Sequence, residues 1–271
     1  MGHSPPSVLL ANWDDLKKQI SSAKSKPSRK NIHHLRVATQ RFEAAVVVLG
    51  SIGGRRKTKK LIQRSRAIRK EVGALRDNQV SARLSSRGQD DTELAFTNSL
   101  KQKRKRLKHR VAHYLGTLSL EREEKFVLRL QKKLMHQENK MTPKELRENF
   151  DKASRTLEAM FIQSRKHISP KAPKQFHKFR LIAKKLRYIG EVQKSLSGVT
   201  RLELRKLELV QTLAGTICDD QVLEAKVNLY YHKKGHTNRH AVWPMKAEAT
   251  SRLQADSVVA IKKLNAINWK K

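Results

Sequence analysis

Cysteine is nearly absent from this chain: Cys218 is its single thiol, so no intrachain disulfide can form and a reducing interior suits it. Aromatic residues make up 5% of the chain and do not interleave with its basic stretches, which argues against the base-stacking platforms of nucleic-acid binders. Acids are scarce as well, with 24 Asp and Glu against 60 Lys and Arg. The longest apolar run, residues 44–49, is far too short to cross a bilayer. The start carries Pro5 and Pro6 but neither the charged beginning nor the long apolar core of a signal peptide. These absences lead us to expect a soluble, cytoplasmic protein with no membrane partner. Also missing are a glycine-rich phosphate loop with its lysine, a Cys and His metal cluster, a nucleophile beside a base, and helix-turn-helix or zinc-finger spacing. The expectation is a non-enzymatic protein with no cofactor and no metal.

What is present is charge of one sign. The formal net charge is +36 and the pI is near 10.7. Self-repulsion on that scale calls for a polyanionic partner, whether nucleic acid, polyphosphate or an anionic surface. Hydrophobic residues at 38% supply a core and recur with helical periodicity from end to end, while alternating strand patterns are missing. The expected class is all-α. Breaks near residues 26–27, 50–54, 85–90, 116–119, 141–143, 169–173, 195–200 and 232–240 divide the chain into about nine helices. The clearest helix start is Thr142-Pro143-Lys144-Glu145, a capping box with proline at the first helical position.

That start falls at mid-chain, and the second half repeats the first. In the segment from Phe176 to Glu191, helical winding puts His177, Arg180, Lys184, Arg187 and Glu191 on one stripe and Phe179, Ile182, Leu186 and Ile189 on the other side. His33-x-x-Arg36 opens a helix in the same way, with Leu35, Ala38, Phe42 and Ala45 as the matching apolar face. Downstream, Gly73-x-x-Arg76-Asp77-x-x-Val80 matches Gly215-x-x-Cys218-Asp219-x-x-Val222. Between these landmarks the stripe Lys59, Gln63, Arg66, Lys70, Gly73, Asp77 corresponds to Arg201, Arg205, Glu208, Thr212, Gly215, Asp219. A mid-helix glycine costs about 1 kcal/mol against alanine, so close helix contact or a ligand is expected at Gly73 and Gly215. The halves are taken as residues 1–140 and 141–271.

His33-x-x-Arg36-Val37 and His177-x-x-Arg180-Leu181-x-x-Lys184-Lys185-Leu186-Arg187-Tyr188, each followed by a Gly-x-x-x-Asp-x-x-Val element, resemble the CHAD family, the conserved histidine α-helical domain. The resemblance implies two four-helix bundles related by a pseudo-twofold axis. It further implies histidine helices facing a basic groove that binds inorganic polyphosphate, and an association with polyphosphate granules. On that reading the polyanion would be held by His33, Arg36, Arg41, Lys59, Arg66, Lys70, His177, Arg180, Lys184, Lys185, Arg187, Tyr188, Arg201 and Arg205. Arginine forks hold two oxygens at once and lysine adds a mobile point charge. Asp77 and Asp219 would orient the basic side chains behind them rather than bind metal. The first half departs from the family pattern at Gln40 and Glu43, where the second half has Lys184 and Arg187, so the second half is expected to carry more of the grip.

Other features are weighed against this set. Imidazoles crowded by cations should resist protonation, and a bound polyanion should reverse that, tightening binding as pH falls through the histidine range. His34 and Asp220 read as surface residues, and Cys218 as a small packing residue. Residues 55–70 hold nine Lys or Arg and no acid, and residues 101–110 hold seven. The latter run is basic on every side of a helix and could serve as a peripheral landing strip for a polyphosphate chain, for nucleic acid held non-specifically, or for another acidic partner. Glu121-x-Glu123-x-Lys125 is similar to the signature of CYTH triphosphate-processing enzymes. That signature belongs on a strand of a closed β-tunnel, whereas here it sits in a helical pattern and reads as an accident of a charged helix. The rivals to polyphosphate binding are a nucleic-acid binder and an enzyme acting on polyphosphate or triphosphate.

Overall fold

The structure, a computed structural model, describes residues 2–53, 55–85, 91–169, 173–198, 200, 202–233 and 239–267. Among these the regular structure is entirely helical: α1 (Pro5–Ser25), α2 (Arg29–Gly53), α3 (Arg55–Glu71), α4 (Gly73–Leu84), α5 (Asp91–Gly116), α6 (Glu121–Glu138), α7 (Pro143–Lys166), α8 (Pro173–Ser197), α9 (Leu204–Lys233) and α10 (Arg239–Ala266). The additional helix relative to the sequence expectation comes from a bend at Val72, which divides α3 from α4 where the second half runs straight through as α9. Local signals set the ends as the sequence indicates. Thr142 accepts from the Glu145 N–H while the Glu145 carboxylate accepts from the Thr142 N–H at 2.8 Å, the reciprocal pairing of a capping box. At the end of α8, Gly198 takes φ +74° and its N–H returns to the Lys194 carbonyl at 2.8 Å, the left-handed stop that glycine permits without a Cβ clash.

The packing order repeats. α1 lies on α2 as α7 lies on α8, α2 on α3 as α8 on α9, and α4 on α5 as α9 on α10. α6 has no counterpart and fills in against α1, α2 and α3. Each half is therefore a four-helix set, one of them bent at Val72 and carrying an extra helix. The apolar faces drawn from the periodicity are buried: Leu35, Ala38, Phe42 and Ala45 in one half and Phe179, Ile182, Leu186 and Ile189 in the other.

The halves share walls rather than standing apart. One buried cluster joins α1, α2, α3 and α6 to Phe150 of α7 and to Tyr188, Ile189 and Val192 of α8. A second lies wholly among α7, α8, α9 and α10. A third, with Val80, Leu84, Phe96, Leu100, Leu223 and Val227, ties α4 and α5 to α9. The contact of α2 with α8 runs through the centre, and it decides where the histidine helices point their polar edges.

Candidate anion-binding site

The polar edges of α2 and α8 face one another. Arg36, Arg180 and Lys184 lie within electrostatic reach of each other, joined by Arg69 from α3 and Arg187 from α8. Phe179 and Leu186 anchor the far side of α8, so the turn that buries them rotates Arg180, Lys184 and Arg187 inward. The cationic front of this helix is thus an interior surface: Arg187 keeps only 13% of its side chain exposed.

Each half lays its motif arginine against its motif glycine. A Cβ on Gly73 would stand 3.1 Å from Arg36 Nη1, and one on Gly215 would stand 3.5 Å from Arg180 Nε. In place of the expected close helix contact or ligand, each glycine meets an arginine side chain, tightly at Gly73 and at ordinary van der Waals distance at Gly215. Arg36 also donates from Nη1 to the Arg69 carbonyl at 3.3 Å, just ahead of the bend at Val72.

Burial and mutual repulsion weaken proton binding at these cations. Lys184 is brought down to about 7, first by burial and then by Arg180, Arg36, Arg69 and Arg187. His33, exposed at the edge of the cluster, is brought down to about 4 by partial loss of hydration and by Arg76, Lys184, His34 and Arg36. That matches the expected resistance of the imidazole to protonation, but it removes His33 from the ordinary histidine range. Within this cationic cluster the group that titrates near neutrality is Lys184. Arg36 and Arg76 are lowered by burial as well.

Carboxylates compensate part of this charge, and with opposite polarity in the two halves. Glu43, itself buried, takes Arg66 at 2.7 Å and Arg69 at 2.6 Å. At the equivalent place in the second half Arg187 reaches Glu208 at 2.9 Å and Glu191 at 3.4 Å. The departure at Glu43 is therefore half of an inverted ion pair, Glu43 with Arg66 against Arg187 with Glu208. Glu191 also crosses to Arg41 of α2 at 3.2 Å. No carboxylate pairs with Lys184 among the described residues, and Arg69 Nη1, Arg180 Nε, Gln40 Oε1 and Gln211 Oε1 are buried without a hydrogen-bond partner.

Asp77 and Asp219, separate in sequence, come within electrostatic reach of one another. Asp77 acts on Arg36 and Arg76. Asp219 is raised by burial while Arg180, Arg76 and Arg83 oppose that rise. No group of three or more His, Cys, Asp or Glu side chains suited to a metal occurs among the described residues. Asp220 corrects the surface assignment: it is 2% exposed, lies 3.2 Å from Arg252 Nε, and is pushed up to about 7 by burial and by the neighbouring Asp256 carboxyl group. α10 covers it, which periodicity within α9 could not reveal.

The remaining expected residues are spread more widely. His33, Arg41, Lys184, Arg187 and Tyr188 line a hollow of about 490 Å³ together with His34, Glu208 and Gln211. His177 is exposed on the first turns of α8 and is not among its lining residues. Lys59, Lys70 and Lys185 are exposed. Arg205 lines a separate open hollow with Lys194, Thr200 and Lys206, and Arg201 lies outside the described residues. Tyr188 is buried, with the Arg187 guanidinium 4.9 Å from its ring centre. Sequence reasoning missed Arg69 and Arg76 as members of the cluster; with Arg83 they recur every seven residues, two helical turns apart, a spacing that could have found them. Cys218 is buried, its thiol pushed up to about 11 by that burial, as a packing residue should be. Glu121-x-Glu123-x-Lys125 lies in α6, where Glu123 approaches Arg64 at 3.7 Å and Glu124 holds Lys17 at 3.0 Å.

A duplicated, all-helical fold with a cationic interior between its halves is the class these observations define. The CHAD domain family model matches residues 7–228, and the chain belongs to that family. It is similar in fold to the crystal structure of the CHAD domain from the plant Ricinus communis, at 16% identity and a TM-score of 0.71, over 97% of this chain and 91% of that one. No curated protein matches the chain. No helix among the described residues is long and apolar enough to cross a membrane.

Proposed function

We propose that the protein binds inorganic polyphosphate along the cationic interior between α2 and α8, without chemistry on the chain it holds. The observation that carries this reading is the surplus of half-buried cation. Lys184, Arg36, Arg180, Arg69 and Arg187 converge, and the nearby carboxylates leave Lys184 unpaired among the described residues. A buried charge without a partner is costly, and a linear array of anionic oxygens offsets that cost for several cations at once. Polyphosphate presents such oxygens without bases to stack, in keeping with aromatics at only 5%. We place the protein in a reducing cytoplasm, at polyphosphate granules.

The test is binding of graded polyphosphate lengths to the full chain and to Arg180→Ala combined with Lys184→Gln, with circular dichroism to check the fold. The double variant should bind at least about tenfold more weakly. Wild-type affinity should fall by about 10³-fold or more between about 50 and about 200 mM salt. DNA or RNA that outcompetes polyphosphate at matched phosphate concentration as salt rises would make this a nucleic-acid protein instead. Release of phosphate from long chains with added magnesium or manganese, lost on replacing Asp77 or Asp219, would make it an enzyme.

A further inference from the structure

The duplication builds two equivalent hollows, one on each flank of the contact between α2 and α8. One is the polar hollow that contains His33, Arg41, Lys184, Arg187, Glu208 and Gln211. The other lies among α2, α3, α7 and α8, and its lining follows by the repeat. Gln40, Glu43 and Ala44 stand where the first has Lys184, Arg187 and Tyr188; Lys185 replaces Arg41; Arg66 and Arg69 replace Glu208 and Gln211. The two have diverged in chemistry. The second is smaller, about 200 Å³, and apolar atoms form most of its wall, with Ala44, Val47, Leu157 and Ile189 at its floor and Leu181, 41% exposed, at its lip. Alanine in the place of a tyrosine keeps a second ring out of the floor, while Tyr188 itself also walls this hollow.

Cations stand over this apolar floor. Both oxygens of Glu43 are engaged by Arg66 and Arg69, which leaves Arg69 Nη1 buried without an acceptor, and Gln40 Oε1 buried without a donor. Lys184 and Lys185 complete the rim. A linear polyphosphate has nothing to offer an apolar floor, and the room suits an anion of roughly ten non-hydrogen atoms at interior packing density.

We propose that this hollow is a second ligand site, for a small phosphate or carboxylate that carries an apolar aryl or short acyl group, the anion seated on Arg69 and Lys184 and the apolar body on Ala44, Val47, Leu157 and Ile189. Directional cation contacts over a concave apolar surface are the usual composition of small-molecule sites. The site stands independently of the polyphosphate reading. Lys184 lines both hollows, so where that reading also holds, an occupant here withdraws Lys184 from the polyanion and weakens its binding.

Isothermal titration of the full chain with phenyl phosphate, inorganic phosphate and phenol tests the proposal. Phenyl phosphate should bind at least about tenfold more tightly than inorganic phosphate, with phenol weaker than either. Ala44→Tyr, which copies the other half and fills the floor, should abolish the preference. Leu181→Asp, at an exposed position where the fold is not at risk, should weaken phenyl phosphate by about tenfold through repulsion at the lip. Gln19→Ala, on the polar hollow, should leave phenyl phosphate binding unchanged. Equal binding of phenyl phosphate and inorganic phosphate, or a preference that survives both Ala44→Tyr and Leu181→Asp, overturns the site whatever polyphosphate itself does.

Discussion

Lys184 is the residue of the cationic cluster through which pH should act on anion binding. Its ammonium sits at about 7 because burial and then Arg180, Arg36, Arg69 and Arg187 oppose it, with His33 brought down to about 4 beside it. The guanidinium groups keep their charge across the working range, so near neutrality Lys184 is the one of these that changes. A polyanion favours the charged form, and binding should take up a proton. Affinity should therefore rise as pH falls from about 8.5 to about 6 and flatten below, with the slope lost in Lys184→Met; a slope that persists in that variant assigns the effect elsewhere. For the unliganded fold the sign follows from a lowered value. Between about 7 and the unfolded value of 10.5 the unfolded chain holds the extra proton, so stability rises with pH across that window and the burial cost is full below it. His33 acts likewise between about 4 and 6.5, weakening the fold as acid enters that range.

The two motif glycines make different predictions although they share a role. At Gly215 an alanine Cβ would find Arg180 Nε at an ordinary 3.5 Å inside a continuous helix. Gly215→Ala should add about 0.5–1 kcal/mol of stability through helix propensity, read in urea unfolding. At Gly73 the same Cβ would meet Arg36 Nη1 at 3.1 Å, at the first residue of α4 where propensity counts for little. Gly73→Ala should bring no stability gain and should weaken polyanion binding by displacing Arg36.

At the scale of elements, α2 with α3 and α8 with α9 make the same contact with reversed charge. Glu43 on Arg66 in one half answers Arg187 on Glu208 in the other. Glu43→Arg alone would place a third cation against Arg66 and Arg69 and should cost about 3 kcal/mol. The triple change Glu43→Arg, Arg66→Glu, Arg69→Gln copies the second half and should recover most of that loss. Urea unfolding of the single, triple and intermediate variants closes the cycle, and strict additivity would show that the inverted pair is not one unit. The length of α9, against the bend between α3 and α4, shows the same independent drift of two halves around a shared contact.

For the whole molecule, a net charge of +36 around an interior already crowded with cations implies a fold under self-repulsion. The unliganded protein should melt higher as sodium chloride rises from about 20 to about 300 mM through screening. Polyphosphate should raise the melting temperature at far lower phosphate concentration, because it binds the folded state. Differential scanning calorimetry distinguishes the two, and a melting temperature insensitive to both would remove repulsion as a governing term.

The sequence alone determined the helices and which side chains share a face on each, because helical periodicity and capping are local. The apolar sets around Phe42 and Leu186, the capping box at Thr142 and the duplicated Arg and Gly motifs were all legible for that reason. Tertiary structure decided which faces meet. The contact of α2 with α8 decided what the cationic stripes face, setting the Arg36 edge of one helix against the Arg180 and Lys184 edge of the other. It brought Asp77 near Asp219, added Arg69 and Arg76 to the cluster, let α10 close over Asp220, and opened a hollow where Ala44 stands for Tyr188. Burial and the pairing of charge are set by neighbours distant in sequence, and a one-dimensional pattern fixes the direction of a side chain without fixing what lies opposite it.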